Sequence, residues 1–380
     1  MRMLVLGAGL QGSACAYNLL QHNEIGHVTV ADLNPDNLPA FLAPLQGDRL
    51  STARLDAKDT TAVAALIKGH DAVMCALPYY FNEPMTRAAI ESGAHFSDLG
   101  GNTAIVQEQK KLHQRALAAN LSVIPDCGLA PGMVNILAAE GIRRMDTART
   151  VRIYVGGLPQ QPEQPLNYQI VYSLEGALDY YTTPSWVLRN GHPVEVEALS
   201  ELEDVEFASP VGTLEAFHTG GGISTMPFAW AGKIETMEYK TLRYPGHVAI
   251  MKPIRELGLI SNDPIDVKGR QVRPRDLFIA AVQPMLFRPE GRDLVALRVT
   301  VTGVKDGKES TATFELVDRY DEATGISAMM RATGFSLALT GIVQANGTVT
   351  ELGVRTPDEA MPFGPYVSGL RQFGVEIREL

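Results

Sequence analysis

The first 125 residues alternate between short apolar runs and segments with helical spacing, and this alternation narrows the possible fold more than any other feature of the chain. Strands of a parallel sheet are buried on both faces, so they read as unbroken apolar runs separated by crossover helices. The runs predict six strands, at Met3–Leu6, His27–Ala31, Ser51–Leu55, Ala72–Ala76, His95–Asp98 and Ser122–Pro125. Between most of them the spacing predicts helices, over Gly12–Gln21, Thr61–Ile67, Glu83–Ser92 and Ala104–Ala119. We therefore predict a doubly wound α/β domain built on a parallel sheet.

A second kind of pattern begins after Pro131. Short alternating segments such as Thr150–Val155 and Asp293–Thr302 are typical of strands with one exposed face. The turn Lys305–Lys308, with the sequence KDGK, separates two of these segments and predicts a hairpin. This region is predicted to be an α+β domain with a mostly antiparallel sheet.

Helical spacing returns over Ser327–Ile342, close to the end of the chain. We expect this helix and the tail that follows it to pack back onto the first domain. The predicted division therefore gives a first domain of residues 1–127, completed by 328–380, and a second domain of residues 128–327.

Charge and cysteine content exclude several classes of protein. Lys and Arg total 33 against 43 Asp and Glu, a formal net charge of −10, so we expect no nucleic-acid partner. Three cysteines without a CxxC pair favour neither a disulfide framework nor a metal site, and none is predicted. No apolar stretch is long enough for a membrane span or a secretion signal, so we expect a cytoplasmic protein without a membrane partner.

The segment Gly7–Gly12 reads GAGLQG and fits GxGxxG, directly after the first predicted strand and directly before a helix. In this context the first glycine permits a tight turn, the second lets the backbone approach a pyrophosphate, and the third lets helix and strand pack closely. The pyrophosphate would then lie on free N–H groups at the helix N-terminus. The predicted cofactor-binding residues of this segment are Gly7, Gly9, Leu10, Gln11 and Gly12.

The end of the second predicted strand supplies an acid at the expected place. Asp32 lies 20 residues beyond Gly12, where a carboxylate binds the adenosine ribose hydroxyls of a Rossmann-type domain. Its charge would repel a 2′-phosphate, and no Arg or Lys lies between Asp32 and Asp48. The predicted cofactor is therefore NAD, and the first domain is predicted to be the NAD-binding domain.

Two further positions are assigned to the cofactor from topology. Leu77 and Pro78 end a strand on the side where the nicotinamide ribose would lie, and Asp56 follows a strand near the expected adenine position. A loop residue that only turns the chain would look the same at each of these positions.

In the second half, polar residues interrupt apolar or glycine-rich sequence and form a candidate substrate site. Arg243 could hold a carboxylate, and His247 could move a proton near neutral pH. Backbone N–H groups of Gly220–Gly222 could approach an anion. The candidate site residues are Asp126, Tyr168, Tyr172, Thr219, Ser224, Thr225, Arg243 and His247.

Together these segments resemble the saccharopine dehydrogenase-like family, and most closely its lysine 6-dehydrogenase branch. The resemblance rests on GAGLQG, GLAPG, PLNYQIVYSLEG, GTLEAFHTGGGISTM, TLRYPGH and ATGFSLAL, and so covers nearly the whole chain. Relatives commonly have GLDPG where this chain has Ala130, so any role of that acid is absent here or falls to Asp126. The resemblance implies a Rossmann domain closed by the C-terminal segment, and a catalytic, dimerising α+β domain in a homodimer or larger homo-oligomer.

The expected activity is NAD-dependent oxidation of a terminal amine carbon of an amino acid, with L-lysine giving its 6-semialdehyde and ammonia. We assign the substrate carboxylate to Arg243, with Thr219, Ser224, Thr225 and Tyr168 as further substrate-binding residues. For proton handling the sequence leaves Asp126 and His247 as alternatives, with Tyr172 as an orienting hydroxyl.

Two alternatives stay open. The same fold could act on a secondary amine, as saccharopine and carboxynorspermidine dehydrogenases do, and product analysis would separate these reactions. A non-catalytic, NAD-binding regulatory protein is the third reading, since fold alone does not establish catalysis. The concentration of polar residues outside the nucleotide motif argues against it.

Overall fold

The structure is a computed structural model that describes all of residues 1–380. Its strands are β1 (Arg2–Leu6), β2 (His27–Asp32), β3 (Leu50–Arg54), β4 (Ala72–Cys75), β5 (His95–Asp98), β6 (Ser122–Ile124), β7 (Thr147–Pro159), β8 (Ser185–Arg189), β9 (His192–Val196), β10 (Glu203–Phe207), β11 (Gly212–His218), β12 (Thr236–Arg243), β13 (Ile265–Val267), β14 (Arg270–Val272), β15 (Asp293–Lys305), β16 (Lys308–Arg319), β17 (Gly353–Val354) and β18 (Arg378–Glu379). Its helices are α1 (Leu10–Leu20), α2 (Thr60–Ile67), α3 (Asn82–Ser92), α4 (Thr103–Lys110), α5 (His113–Ala118), α6 (Met133–Arg143), α7 (Leu174–Thr182), α8 (Met226–Ala229), α9 (His247–Glu256), α10 (Pro274–Leu286), α11 (Ala328–Met330), α12 (Ser336–Ala345), α13 (Pro357–Ala360) and α14 (Phe363–Gln372).

The N-terminal sheet has seven parallel strands in the order β17-β6-β5-β4-β1-β2-β3. Six of them match the six predicted strands, and β1 and β4 are buried along nearly their whole length, as a doubly covered sheet requires. The strand order reverses beside β1, so the crevice for a ligand opens between the loops that follow β1 and β4. The predicted Rossmann-type fold is confirmed.

One predicted helix differs from the structure. The segment expected to be helical over Ala104–Ala119 forms two helices, α4 and α5, with a break at Lys111 and Leu112. Leu112 is buried in the sheet-side core at the break, and His113 lies beside the backbone of Val354 in β17 at 3.1 Å. The break lets the chain satisfy both contacts, which helical spacing in the sequence could not show.

The second sheet has nine strands and is mostly antiparallel, as predicted. Its main path is β10-β11-β12-β7-β15-β16-β18, and β8 and β9 extend it beside β12. The long strands β7 and β15 pair antiparallel, the predicted turn joins β15 to β16 as a hairpin, and β12 with β7 is parallel. A small separate sheet contains only β13 and β14.

The C-terminal segment contacts both sheets. Gln344 of α12 donates from Nε2 to the backbone oxygens of Phe96 (3.0 Å) and Ser122 (3.1 Å), and β17 pairs with β6 at the edge of the parallel sheet. The last strand, β18, instead pairs with β16 in the second sheet. The domain boundaries given above stay a prediction. No helix combines the length and the hydrophobicity that a membrane span needs.

Candidate active site

The glycine-rich turn between β1 and α1 has the geometry of a dinucleotide-binding turn. Gly7 has φ +101°, where a side chain would be strained, and a Cβ on Gly12 would clash with the carbonyl oxygen of Gly7. At Gly9, by contrast, a Cβ would meet nothing within 4 Å, so the space over the turn is open. Gly9 caps α1 without a side-chain hydrogen bond, which leaves N–H groups of the first turn free for a pyrophosphate. These residues fit a pyridine dinucleotide.

Asp32 is held against this turn at the end of β2. One carboxylate oxygen accepts from the Ala8 N–H at 2.8 Å and the other from the Asn34 N–H at 2.9 Å. Each oxygen retains a second lone pair for a ribose hydroxyl. Arg54 of β3 is the register partner of Asp32 and pairs with Asp36 at 3.3 Å. The parallel pairing of β2 with β3 therefore brings a basic residue beside Asp32 that lies outside the stretch Asp32–Asp48.

Of the other predicted cofactor-binding residues, two line a cavity beside the glycine-rich turn and two do not. Leu77 and Gln11 line the cavity described next, and the buried Oε1 of Gln11 has no hydrogen-bond partner. Pro78 is exposed and lies outside that cavity. Asp56 is also exposed, and its carboxylate accepts from the Lys58 N–H at 2.9 Å within its own turn.

A cavity of about 290 Å³ opens beside the glycine-rich turn, and we name it the Arg243 cleft. The parallel sheet and its loops contribute one wall, and β7, β12 and the segment around α7 contribute the other. Its lining residues are Gln11, Leu77, Leu99, Gly100, Gly128, Leu129, Ala130, Pro131, Val155, Gly157, Tyr172, Ser173, Gly176, Tyr180, Tyr239, Thr241, Arg243, Met329 and Thr333. Arg243 is the only charged residue among them.

Arg243 is 3% exposed, and no acidic side chain pairs with it. Its Nη1 donates to the Leu242 carbonyl at 2.8 Å, and its Nε donates to the Tyr181 hydroxyl at 3.2 Å. The guanidinium carbon lies 4.9 Å from the centre of the Tyr168 ring. A buried charge is costly unless it is paired, so this guanidinium is suited to a carboxylate that arrives with a ligand.

Two matches with known proteins cover almost the whole chain. Residues 3–124 match the profile described as the saccharopine dehydrogenase NADP binding domain, and residues 128–375 match the saccharopine dehydrogenase C-terminal domain. The chain belongs to the saccharopine dehydrogenase family. The resemblance to this family stated from the sequence motifs is thereby confirmed, and the lysine 6-dehydrogenase branch stays a prediction.

Individual members of the saccharopine dehydrogenase family are distant from this chain in sequence. The saccharopine dehydrogenase [NADP(+), L-glutamate-forming] of Schizosaccharomyces pombe is 20% identical, and the alignment covers 99% of this chain and 98% of that protein. Mouse mitochondrial alpha-aminoadipic semialdehyde synthase is 23% identical, with 98% of this chain matching 47% of it.

Among solved structures, apo saccharopine dehydrogenase (L-Glu forming) from Saccharomyces cerevisiae matches 100% of this chain and 99% of its own with a TM-score of 0.80 at 20% identity. The homospermidine synthase of Legionella pneumophila, solved with NAD, gives a TM-score of 0.71 at 10% identity and matches 91% of its own chain. These likenesses show that the fold is shared.

His247 does not line the Arg243 cleft of this saccharopine dehydrogenase-family protein. Its Nε2 lies 3.0 Å from the Tyr181 hydroxyl, and its Nδ1 lies 3.1 Å from the Leu166 carbonyl. Because that hydroxyl accepts from Arg243, its own proton points at Nε2, and Nδ1–H donates to Leu166. Burial, reinforced by the charge of Arg243, lowers the pKa of His247 to about 3. His247 is therefore neutral, and it holds Tyr181 against Arg243.

The predicted tyrosines both lie at Arg243. Tyr172 lines the cleft, with its ring centre 6.4 Å from that of Tyr180, and burial raises the pKa of Tyr172 well above its usual value. Tyr168 lies beneath the guanidinium, and its buried hydroxyl has no partner. Tyr168 therefore packs against the Arg243 guanidinium, and Tyr172 forms part of the wall of the same cleft.

Asp126 is fully buried beneath the loop that follows β5, and it lines no cavity of the site directly. A Cβ on Gly100, which lines the Arg243 cleft, would clash with the Asp126 carboxylate, so this carboxyl group lies next to that glycine. Neither carboxylate oxygen has a hydrogen-bond partner. Burial raises the pKa of Asp126 to about 7, and the nearby Ser224 hydroxyl opposes this shift without reaching hydrogen-bond geometry.

Asp98 lies next to Asp126 and is equally buried, but its carboxylate is well satisfied. It accepts from Gln109 Nε2 at 2.6 Å and from the Gly100 N–H at 2.7 Å. Burial raises the pKa of Asp98 to about 6 despite these bonds. Of the two carboxyl groups, Asp126 therefore has the free hydrogen-bonding capacity.

The sequence analysis groups the glycine loop with Arg243 in one substrate site. In the structure the loop and Arg243 line different cavities. Thr219 reaches the Arg243 cleft only through Thr241, with 2.7 Å between their hydroxyl oxygens, and Thr225 is buried outside it. Ser224 lines a neighbouring cavity of about 340 Å³, which we name the second cleft. Its lining residues are Tyr79, Gly101, Asn102, Thr103, Ala104, Gly176, Asp179, Tyr180, Thr183, Pro184, Ser185, Trp186, Glu195, Gly220, Gly221, Gly222, Ile223 and Ser224.

The sequence analysis does not include several lining residues, although the sequence carries a signal for four of them. Tyr239, Thr241 and Arg243 alternate along β12 and face the Arg243 cleft together, because side chains two apart share one face of a strand. Gly176 and Tyr180 are four residues apart on α7 and line both clefts. Steps of two residues back from Arg243 lead to Thr241 and Tyr239, and steps of four residues on from Tyr172 lead to Gly176 and Tyr180.

Away from both clefts, Glu201, His218 and Glu238 place one ligand atom each within 4.8 Å of one another. Arg189 already donates to Glu201 at 2.8 Å and to Glu238 at 2.7 Å. The geometry is that of an ion-pair network, in which a basic side chain occupies the position between the carboxylates.

Proposed function

We propose that this protein is a pyridine-nucleotide-dependent dehydrogenase that acts at a C–N bond of an amino acid whose carboxylate binds Arg243. The observation that carries the proposal is the buried guanidinium of Arg243, unpaired by any acid and open to a cavity beside the dinucleotide-binding turn. Bidentate contact between a guanidinium and a carboxylate fixes direction as well as charge. Membership of the saccharopine dehydrogenase family supports oxidoreductase chemistry on such substrates.

The cofactor would lie across the glycine-rich turn, with its pyrophosphate at the N-terminus of α1 and its adenosine ribose at Asp32. Bound nicotinamide would accept the hydride from the carbon that carries the amine. We propose NAD, because the Asp32 carboxylate would repel a 2′-phosphate. Arg54 is the residue that could favour NADP instead, and its guanidinium is engaged by Asp36.

The chain's own residues divide the remaining tasks. Arg243 binds the carboxylate, while Tyr181 and His247 hold the guanidinium in place through successive hydrogen bonds. Tyr172 orients the substrate from the wall of the cleft. We assign these roles from the contacts, and His247 in this scheme is a positioning residue rather than a proton carrier.

Asp126 is our candidate for proton transfer. Its pKa of about 7 allows it to accept and return a proton near neutral pH. The Ser224 hydroxyl lies beside it and lines the second cleft, so it offers a route between the buried carboxyl group and that cavity. Hydrolysis of the iminium to aldehyde and ammonium releases no net proton, so the net proton of the reaction is the one that the substrate ammonium loses before the hydride leaves.

L-Lysine is the first candidate substrate. Loss of a hydride from the ε-carbon of the neutral amine leaves an iminium, which water hydrolyses to the 6-semialdehyde and ammonium. Arg243 would hold the α-carboxylate at the far end of the side chain. The predicted products are therefore reduced cofactor, the semialdehyde and ammonia.

A secondary amine such as saccharopine is the second candidate, and one observation favours it. The Arg243 cleft and the second cleft share Gly176 and Tyr180, so the site has room for a group beyond the reacting nitrogen. The names of the relatives point the same way. Hydrolysis would then release the second moiety instead of ammonia.

The test is an absorbance assay for reduced cofactor with L-lysine or saccharopine, each with NAD and with NADP, and with ammonia and glutamate measured in parallel. Arg243→Met should raise KM about 100-fold while cofactor affinity is unchanged, because only the carboxylate contact is lost. Arg292→Met, at a partly exposed arginine paired with Glu322 outside both clefts, is the matched control and should leave KM unchanged.

Unaltered substrate kinetics in Arg243→Met would remove Arg243 from the site. No turnover with any amine, together with tight cofactor binding, would support a regulatory protein instead. Ammonia release would select the lysine reaction, and glutamate release the cleavage of saccharopine.

A further inference from the structure

Exposed apolar side chains are concentrated in one part of the chain, away from both clefts. Of the 17 large apolar residues that are exposed, seven lie between residues 257 and 287, which is less than a tenth of the sequence. Leu257 is 75% exposed, Leu277 66% and Met285 62%. Single exposed apolar residues are ordinary in a monomer, but a concentration of them marks an interaction surface.

Helix α10 is apolar around its whole circumference. Ten of its 13 residues are apolar, yet only Arg275 and Leu286 are buried. Phe278 and Val282 on its inner side pack against the cluster that contains Leu178 of α7. A helix that is apolar on all sides is normally covered on all sides. One side of α10 is thus covered by its own chain, and the other is left exposed.

The segment that follows α9 extends this exposed side. Arg275 donates through its backbone N–H to the Ser261 carbonyl at 3.2 Å and through Nε to the Ile260 carbonyl at 3.0 Å, so the start of α10 lies against that segment. We name the exposed apolar side chains of the two segments the α10 surface, namely Leu257, Leu259, Leu277, Ala281, Met285 and Phe287. No residue between 257 and 287 lines the Arg243 cleft or the second cleft.

The exposed charges around the α10 surface are balanced. Four basic and four acidic side chains are exposed between residues 252 and 276, among them Asp266, Lys268 and Arg270 in the hairpin of β13 and β14. A surface that meets its own copy also meets its own charges, so equal numbers of both signs avoid net repulsion. A membrane surface would instead favour an excess of Lys and Arg. The charge pattern therefore favours a second copy of this chain.

The exposed side of α10 has a shape that suits a symmetric pair of helices. Leu277, Ala281 and Met285 are spaced four residues apart and form one stripe along the helix, with the small residue in the middle. When two such helices cross antiparallel about a two-fold axis, the two alanines allow close approach at the axis. Leu277 of each copy then lies beside Met285 of the other.

We propose that two copies of this protein associate through the α10 surface, with the two-fold axis near Ala281. Association covers the side of α10 that its own chain leaves exposed. The inner side stays packed against α7, which lines both clefts. This interface is independent of the proposed reaction, because none of its residues belongs to either cleft.

Analytical ultracentrifugation of the full chain tests the interface through charge. The wild type should be a dimer at micromolar concentrations, and Ala281→Glu and Ala281→Arg should each raise its dissociation constant by about 100-fold, because like charges then meet at the axis. An equimolar mixture of the two variants should regain a dissociation constant within about tenfold of the wild type, since the charges are then opposite. Leu202→Glu, at an exposed leucine outside the α10 surface, is the matched control and should dimerise as the wild type does.

Ala281→Cys gives an independent test that leaves the interface intact. The three native cysteines are buried, so the introduced thiol is the only exposed one. Mild oxidation should link most Ala281→Cys chains into covalent dimers, because the two thiols face each other across the axis. Leu202→Cys is the control and should give few such dimers. Circular dichroism checks that each variant is folded, and Ala281 is exposed in the single chain, so its replacement disturbs no core.

Three results would overturn this interface. The first is a wild type that stays monomeric at the highest concentration that remains soluble. The second is a dimer whose dissociation constant is the same in both Ala281 variants, or oxidation that links Leu202→Cys as readily as Ala281→Cys. The third is a monomer that binds vesicles of phosphatidylserine and phosphatidylcholine and loses this binding in Ala281→Glu, which would assign the α10 surface to a membrane.

Discussion

Of the three buried arginines of this protein, Arg275 and Arg243 are the most deeply buried, and they differ in what surrounds the guanidinium. Arg275 is 2% exposed, and each of its three nitrogens donates a hydrogen bond: to Ile260 at 3.0 Å, to Thr182 at 3.1 Å and to the carboxylate of Asp179. Arg243 is 3% exposed and has a carbonyl, a hydroxyl and an aromatic face, but no acid. A satisfied buried charge ties elements together, whereas an unpaired one beside a cavity is prepared for a ligand.

The polar chain behind Arg243 explains how the unpaired cation is tolerated. The Tyr181 hydroxyl accepts a hydrogen bond from the guanidinium and donates one to Nε2 of His247, whose Nδ1 donates to Leu166. The orientation of every group in this chain is fixed by its neighbour. The same chain requires a neutral imidazole, since an added proton on Nε2 would face the Tyr181 hydroxyl and the charge of Arg243.

The largest expected effect is the pH dependence of the unfolding free energy that arises from His247 in this hydrogen-bonded series. The pKa of His247 is about 3 in the folded protein and near 6.5 when unfolded, so between these values the unfolded chain binds the extra proton. The contribution of neutral His247 to the unfolding free energy is fully present above pH 6.5 and is lost as the pH falls towards 3. Between pH 7 and pH 4 the wild type should lose about 3 kcal/mol more unfolding free energy than His247→Gln.

Urea unfolding at the two pH values measures this difference. His192→Gln, at an exposed histidine of β9, is the control and should follow the wild type. Equal acid sensitivity in His247→Gln and the wild type would mean that the imidazole is charged in the fold, which would return it to the list of proton carriers.

The second prediction tests the contrast between the arginines through stability. Arg275→Met should lower the unfolding free energy by about 2 to 3 kcal/mol, because Asp179 then loses its buried partner, although its partial exposure moderates the loss. Arg243→Met should stay within about 1 kcal/mol of the wild type, since removal of an unpaired buried charge offsets its lost hydrogen bonds. Urea unfolding at pH 7 compares the two, and equal losses would contradict the distinction drawn here.

Much of the fold was predictable because each strand of the parallel sheet carries its own local signal. Unbroken apolar runs mark β1 to β6, and the glycine-rich turn fixes where the cofactor crosses the sheet. The break between α4 and α5 was not predictable, since it depends on β17, a strand some 240 residues later in the chain. Pairings of this kind have no local signature.

The sequence indicates which segments carry residues of the candidate site, but it does not show which of these side chains share a cavity. Arg243, Tyr168 and Tyr172 come together as expected, but Ser224 lines the second cleft and His247 points away from the first. His247 lies only four residues after Arg243, yet α9 begins at His247 and turns its ring into an aromatic cluster with Phe217, whose ring centre is 6.3 Å away. The direction of such a side chain depends on packing between distant segments, which spacing alone cannot give.

The smallest expected effect isolates the hydroxyl that links Arg243 to His247. Tyr181→Phe removes the acceptor of Arg243 Nε while the ring stays in place, so the guanidinium loses its fixed orientation but keeps its charge. KM for the carboxylate substrate should rise about tenfold, equivalent to about 1.4 kcal/mol, with kcat changed by less than about threefold. Tyr154→Phe, which removes a hydroxyl bonded to Glu203 at 3.1 Å, is the matched control and should affect neither constant. A fall in kcat without a change in KM would instead place the Tyr181 hydroxyl at the reacting nitrogen, and the buried chain behind Arg243 would then be a path for protons rather than a support for the cation.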